Sequence, residues 1–356
     1  MSSLYIDRKG TSIKLSGETL VCYENEERVG TIPLAPIERI YLKGDVTLQS
    51  SLLAKLGEKG IGIICLSGRK NTPTLFMSQP HNDAERRLAQ YELSQNEAFC
   101  LAFAKKLVTL KLVTQKNWLW QAANTRLDKK CLLVPKAEEL DQLIGKIHSQ
   151  TTLSSLRGIE GRAASAYFTA LSQYLPPSLK FDGRNRRPPR DPFNAVLSLT
   201  YTLLHSEAVL AIYGAGLDPY IGFYHSLDYG RESFACDLIE PIRPLVDNWL
   251  LGLFRNETLR IEYFSTTQEG CLLGKTGRVH FYQEYEKQVA NWRKMLTENC
   301  YDLIKVFKMQ TAAISPQRRS ILPNEIIQPP ETDWLQWLEN FYFNQRTMMS
   351  EIIFHF

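Results

Sequence analysis

The chain has 356 residues, 44% of them hydrophobic and 22% charged, with a formal net charge of +4. Such a length exceeds one ordinary core and predicts two domains, while the composition excludes a disordered, collagenous or disulfide-framework chain. The mild positive charge permits a polyanionic partner without requiring one. The seven cysteines are scattered without any CxxC pair, which predicts reduced thiols in a cytoplasmic protein, not disulfides or a zinc centre. The start MSSLYIDRKG lacks the apolar core of a signal peptide. No uncharged apolar run reaches membrane-spanning length; the best stretch, 208–223, is broken by Asp218.

Along the first eighty residues, LYI, SIKLSG, TLVCYE, RVGTIPL, RIYLKG, VTL, IGIICLSG and TLFMS are short β-branched or aromatic runs separated by Gly, Pro and Asn. They predict a small β-rich domain over 1–80, interrupted by one short helix at SSLLAKLGEKG. The texture changes at QPHND. Residues 84–123 contain no Pro or Gly and carry apolar residues at helical steps, predicting one long helix capped by Asp83 or Asn82. Further helical blocks are expected over about 136–148, 154–175, 192–215, 233–255 and 281–308. The fold class is therefore α+β, with an all-α second domain over 81–310 and a tail over 311–356 whose role the residues do not reveal.

Three stretches carry chemistry. In LRGIEGRAASAYF, Glu160 sits among small residues with Ala164, not a cation, at i+4. It is either a carboxylate in a site open to close approach or an ordinary acid near a helix N-terminus, screened by Arg157 or Arg162. In GFYHSLDYGRESFACDLIEPIRP, Asp237 and Glu240 stand three apart, so a continuous helix would project both from one face, with Ser233 as its cap. Two such acids repel unless a cation joins them, and relief of that repulsion predicts that Glu240→Ala leaves folding unharmed. The plain alternative is a solvated acidic face paired with Arg243, and His225 alone reads as a core or cap histidine. One imidazole with two or three carboxylates suits Mg²⁺ or Mn²⁺. Zinc is not indicated: HExxH is absent, and His205-Ser206-Glu207 lacks a downstream PCxxC. The third stretch, GRNRRPPRDP, offers Arg184, Arg186, Arg187 and Arg190 either to phosphate oxygens or simply to water. Arg86 opens the long helix, where it could hold a phosphate or form a salt bridge at the domain junction.

Taken in order, GIEGRAASAYF, FNAVLSLTYTLL and GFYHSLDYGRESFACDLIEPIRP, after a β-rich domain and an AERRLAQY junction, resemble the CRISPR-associated integrase family called Cas one. The resemblance covers roughly residues 1–310. It implies Glu160, His225 and Glu240 as ligands of Mg²⁺ or Mn²⁺, with Asp237 as an adjacent catalytic acid. Arg243 matches the family's basic residue after the last acid, and Tyr201 a tyrosine on the preceding helix; both are expected at the DNA. Cys236 stands where some members carry tyrosine. The resemblance further implies a homodimer formed through the β domain, a small companion called Cas two, and an integration reaction joining prespacer 3′-OH ends to phosphodiesters of the CRISPR repeat. A reverse transcriptase partner is left open. Two other readings remain: a metal-dependent endonuclease acting on branched DNA, and a DNA-binding scaffold without catalysis.

Overall fold

The computed structural model describes residues 2–67, 72–77, 81–185, 188–225, 228–268 and 270–314. All eight N-terminal runs form strands: β1 (Ser2–Ile6), β2 (Thr11–Ser16), β3 (Thr19–Glu24), β4 (Glu27–Pro33), β5 (Ile37–Lys43), β6 (Val46–Leu48), β7 (Gly62–Ser67) and β8 (Thr72–Phe76). Helix α1 (Ser50–Glu58) lies between β6 and β7. The strands make two sheets, ordered β4-β3-β2-β6 and β1-β5-β7-β8. In the second, β1 and β7 run parallel to β5, and β8 pairs antiparallel to β7.

Alternation along β5 and β7 explains how this small region holds the rest. Ile40, Leu42 and Ile63 point into a core shared with Ile13, Leu20, Leu52 and Leu56. Their neighbours Tyr41, Ile64 and Leu66 join the helical core on the opposite face. A sheet buried on both faces needs near-continuous apolar strands, which RIYLKG and IGIICLSG supply.

The remainder is mostly helical: α2 (Ala84–Ser94), α3 (Glu97–Thr125), α4 (Lys130–Gly145), α5 (Leu153–Tyr174), α6 (Pro192–Gly214), α7 (Ser233–Ile239), α8 (Arg243–Arg255) and α9 (Lys275–Ile314). Several expectations are corrected. The helix expected over 84–123 is two. Asp83 caps α2 by accepting from the Glu85 amide at 3.0 Å, and Asn96 caps α3 by accepting from Phe99 at 3.0 Å. An asparagine inside an apolar period can thus restart a helix in a new direction. The block expected over 233–255 also divides, because Pro241 has no amide to continue α7 and Pro244 suits the first turn of α8. Ser233 is the first helical residue, not the cap, which is Glu232 and makes no side-chain cap bond. Helix α4 begins earlier than expected, with Pro135 inside it.

Nor is this part all-α. An antiparallel hairpin of β9 (Phe264–Thr267) and β10 (Gly270–Leu273) is inserted before α9, and that helix extends beyond residue 310 into the expected tail. Residues 315–356 lie outside the described residues. Helix α6 is long and apolar enough to cross a bilayer, a stronger candidate than 208–223, but Phe193, Val196, Leu197, Leu203 and Leu204 are buried in the protein's own core. None of the seven cysteines is paired.

Candidate active site

Helices α3, α5 and the α7–α8 junction supply the acid cluster, with the 218–225 loop closing one side. Gln90 on α2 fixes that loop. Its side-chain amide donates to the carbonyls of Asp218 (2.9 Å) and Ile221 (2.8 Å) and accepts from the Asp218 amide (2.8 Å). Gly222 comes next and allows close approach to α7; a Cβ there would lie 2.8 Å from Ser233 and 2.9 Å from an Asp237 oxygen. The loop then wraps Asp237. Its fully buried carboxylate accepts from the amides of Phe223 (2.7 Å), Tyr224 (3.0 Å) and His225 (2.9 Å) and meets His225 Nδ1 at 2.7 Å. A carboxylate only accepts, so Nδ1–H donates, and in the neutral ring this tautomer leaves the lone pair on Nε2. That Nε2 is 3.8 Å from Glu240 Oε1.

Asp237 and Glu240, three apart at the end of α7, both border the His225 ring but meet different partners. Glu240 follows the last residue of α7 and meets Lys111 on α3. Lys111 Nζ donates to Glu240 Oε2 at 2.6 Å and also to Glu160 Oε1 on α5. Tyr224 donates its hydroxyl to the other Glu160 oxygen at 2.5 Å, and Arg157 both stacks over the Tyr224 ring and donates to its carbonyl. Arg243 Nε comes within 3.2 Å of Glu240 Oε1 without the alignment of a hydrogen bond. Burial alone would raise the Glu240 carboxyl, but Arg243, then Lys111 and His225, hold it down at about 2. Burial likewise opposes the Lys111 charge, yet Glu240 and Glu160 keep its pKa above the ordinary lysine value. Glu240 thus stands between two buried cations, so deleting it strips both of a partner. In place of the spared fold expected from repulsion, this geometry predicts that Glu240→Ala lowers stability.

Two carboxylates that grip one cation, with an imidazole lone pair at their edge, form a donor set suited to a hard divalent ion. The set is not closed. Among the described residues, no three His, Cys, Asp or Glu side chains surround a point closely enough to hold an ion. Lys111 stands between the facing oxygens of Glu160 and Glu240.

The arginine loop is partly committed elsewhere. Arg184 donates to the Asn185 carbonyl, Asn194 Oδ1 and Ser198 Oγ, and it lies over one side of the Tyr201 ring, with Arg243 4.9 Å from the ring centre. Tyr201 donates to Asp247 at 2.5 Å. Burial pushes the Asp247 carboxyl up to about 6 in spite of that bond and the two arginines. Arg190 is exposed, whereas Arg186 and Arg187 lie outside the described residues. The β9–β10 hairpin props the loop: the Cys271 amide donates to the Pro189 carbonyl at 2.7 Å, and a Cβ at Gly270 would be 2.8 Å from Pro188. Arg86 is occupied by Asp83 (3.2 Å) and the Ala215 carbonyl (2.7 Å), the salt bridge at the junction and not a free phosphate fork.

Sequence reasoning missed Lys111, Tyr224 and Asp247. Lys111 had a signal, a lone cation in the apolar run LVTLKLV, but its partners are 49 and 129 residues away.

Residues 4–287 match the family model described as CRISPR associated protein Cas1. A curated relative, the CRISPR-associated endonuclease Cas1 1 of Thermodesulfovibrio yellowstonii, is 41% identical over 300 residues, covering 82% of this chain and 93% of that protein. Among solved structures, a CAS1 protein from Thermotoga maritima superposes with a TM-score of 0.75 at 24% identity, over 86% of this chain and 97% of that one. A casposase bound to integration product gives 0.74 at 19% identity, over 87% and 91%. A chain of a Cas6-RT-Cas1–Cas2 complex gives 0.73 at 24% identity, over 87% of this chain and 35% of that one. At these identities the three structures speak for the fold, a strand-rich region followed by a mostly helical one. The family model and the 41% identical relative carry the assignment itself: this chain belongs to the Cas1 family of CRISPR-associated proteins.

Proposed function

We propose that this chain is a metal-dependent DNA integrase of CRISPR adaptation. It joins the 3′-OH ends of a captured DNA fragment to phosphodiesters of the CRISPR repeat. One observation carries the reading: Glu160 and Glu240, from separate helices, converge on a single cation beside the Nε2 face of His225. In each joining event the fragment's 3′ oxygen bonds to the repeat phosphorus, the bond from that phosphorus to the preceding 3′ oxygen breaks, and the proton passes from the attacking to the leaving oxygen. Bonds are exchanged one for one, so no nucleotide hydrolysis is required.

Glu160, Glu240 and His225 would hold Mg²⁺ or Mn²⁺, which when bound supplies Lewis acidity at the scissile phosphate. Asp237 orients His225 through Nδ1 and keeps its Nε2 turned to the site. Arg243 keeps Glu240 ionised, and the Tyr201–Asp247 pair fixes the surface on which Arg243 lies. Arg190 is the described arginine of the loop best placed for a DNA backbone, because Arg184 and Arg86 are engaged within the protein.

The printed names of the relatives support the partners. The Cas6-RT-Cas1–Cas2 complex favours a Cas2-like companion and admits a reverse transcriptase, while the casposase favours integration-type chemistry on DNA. A homodimer through the β-rich region and a reducing, cytoplasmic setting complete the proposal. The name endonuclease carried by the 41% identical relative favours a second reading, in which water replaces the 3′-OH on branched DNA.

The test is a joining assay with a labelled duplex and a supercoiled plasmid bearing the repeat. Joining that requires Mn²⁺ or Mg²⁺ and a free 3′-OH, and that disappears in Glu240→Gln, supports integration. Metal-dependent cleavage of branched DNA, with no joining whatever the 3′ end, would replace it with the hydrolytic reading.

A further inference from the structure

Lys111 sits between the two acids assigned as metal ligands. Its ammonium touches one oxygen of Glu160 and, at 2.6 Å, one of Glu240, and its side chain is only 12% exposed. Locally, the two acids are matched by two cations, Lys111 and Arg243. A hard divalent ion binds carboxylate oxygens at about 2.0–2.6 Å, so an ion bridging the two acids would compete with Lys111 for their facing oxygens, Glu160 Oε1 and Glu240 Oε2. Both cannot be seated between the same two oxygens, and buried like charges at contact repel strongly.

From this we propose that Lys111 is an intramolecular placeholder for the divalent ion. It holds Glu160 and Glu240 together in the metal-free chain and must withdraw for the ion to take their oxygens. The inference rests on the assignment of these two acids as ligands. The choice of residue fits the task. A lysine is a point charge on a flexible four-carbon stem and can retreat along the face of α3, whereas a guanidinium fork would be hard to displace. Without such a placeholder the two facing acids would repel each other, and the site would open. With it, the ligands stay gathered, and the metal's affinity is lowered by the work of displacing the ammonium. The withdrawn ammonium stays tethered within a side-chain length of the acids, where it favours an incoming phosphate.

Calorimetric titration of Mn²⁺ into the full chain tests this, alongside Lys111→Met, Lys111→Arg and Glu240→Gln, with thermal melts in the absence of metal. The Met variant should bind Mn²⁺ about tenfold or more tightly, within the range of ordinary coupling between sites. It should also melt lower without metal and gain more from Mn²⁺ than the parent chain. The Arg variant should bind Mn²⁺ more weakly than the parent, and it decides the matter should the Met variant fail to fold. Equal or weaker Mn²⁺ binding by a folded Met variant, or unchanged or tighter binding by the Arg variant, overturns the placeholder while leaving the ligands intact. If Glu240→Gln binds Mn²⁺ like the parent, the ligand assignment itself falls, and the placeholder with it.

Discussion

Two carboxylates in this molecule are held by cations in contrasting ways, one fully buried and one partly open. Glu207 on α6 joins the two parts of the fold: it meets Arg39 of β5 at 3.3 Å, Arg293 of α9 at 2.8 Å, and the Tyr41 hydroxyl. Its side chain is 1% exposed. Burial alone would raise its carboxyl, but Arg293 and Arg39 hold it below the usual range. Glu160 meets one lysine and one tyrosine, is 20% exposed, and faces a cluster that also contains the half-open His225. Closed on every side by arginine forks, a buried charge is a joint. Left open on one side and held by a lysine, the same group is, under the proposed function, where another cation enters.

Deleting each acid should separate these roles most sharply. Glu207→Ala strands Arg39 and Arg293 and should cost about 3–5 kcal/mol in a urea melt, losing function only through the fold. Glu160→Ala leaves Lys111 its Glu240 partner, so it should cost about 1–2 kcal/mol while abolishing joining. Equal stability losses would erase the distinction.

Behind the open cluster, Asp247 makes the next test. Its pKa is raised by burial from 3.8 to about 6, so the fold binds its proton more tightly than the unfolded chain does. Its contribution is therefore most favourable below about pH 4, declines as the pH climbs toward about 6, and is constant above that, a change of about 3 kcal/mol. Asp247→Asn, which can still accept from Tyr201, should flatten that slope in melts from pH 4.5 to 7. An unaltered slope would place Asp247 in a more solvated setting than its burial indicates.

Smaller still, Gly222→Ala should cost about 1–3 kcal/mol, because the added methyl collides with Ser233 and Asp237 where the loop crosses α7. If melts show no loss, the close approach that sets His225 in place is not tight. The arginine loop repeats the contrast in miniature. Arg190→Ala should reduce the salt dependence of DNA binding by about one unit of slope with no change in melting, whereas Arg184→Ala should lower melting through Asn194, Ser198 and Tyr201. Identical behaviour of the two would show that the inward packing of Arg184 has no consequence.

What could be read from residues alone was whatever depends on neighbours in sequence. All eight N-terminal strands follow from alternation and turn residues, and a cap at Asp83 or Asn82 from their place before a helical period, of which the structure uses Asp83. Glu160, His225 and Glu240 stand out through the order of their motifs and the family resemblance that order carries. The failures share one cause. Asn96 and Pro241 are local signals, but the direction taken by the chain after each break depends on which core the next helix must cover. The β9–β10 hairpin is held by Pro189, about eighty residues earlier in the chain. Asp237 and Glu240, adjacent on a helical wheel, face different partners because the 223–225 amides claim one and Lys111 the other. Periodicity and capping are energies between residues a few positions apart, so one stretch of sequence carries them. The state of a buried charge depends on every group packed around it, and only the tertiary structure, by bringing distant helices together, decided whether an acid became a joint or an open site.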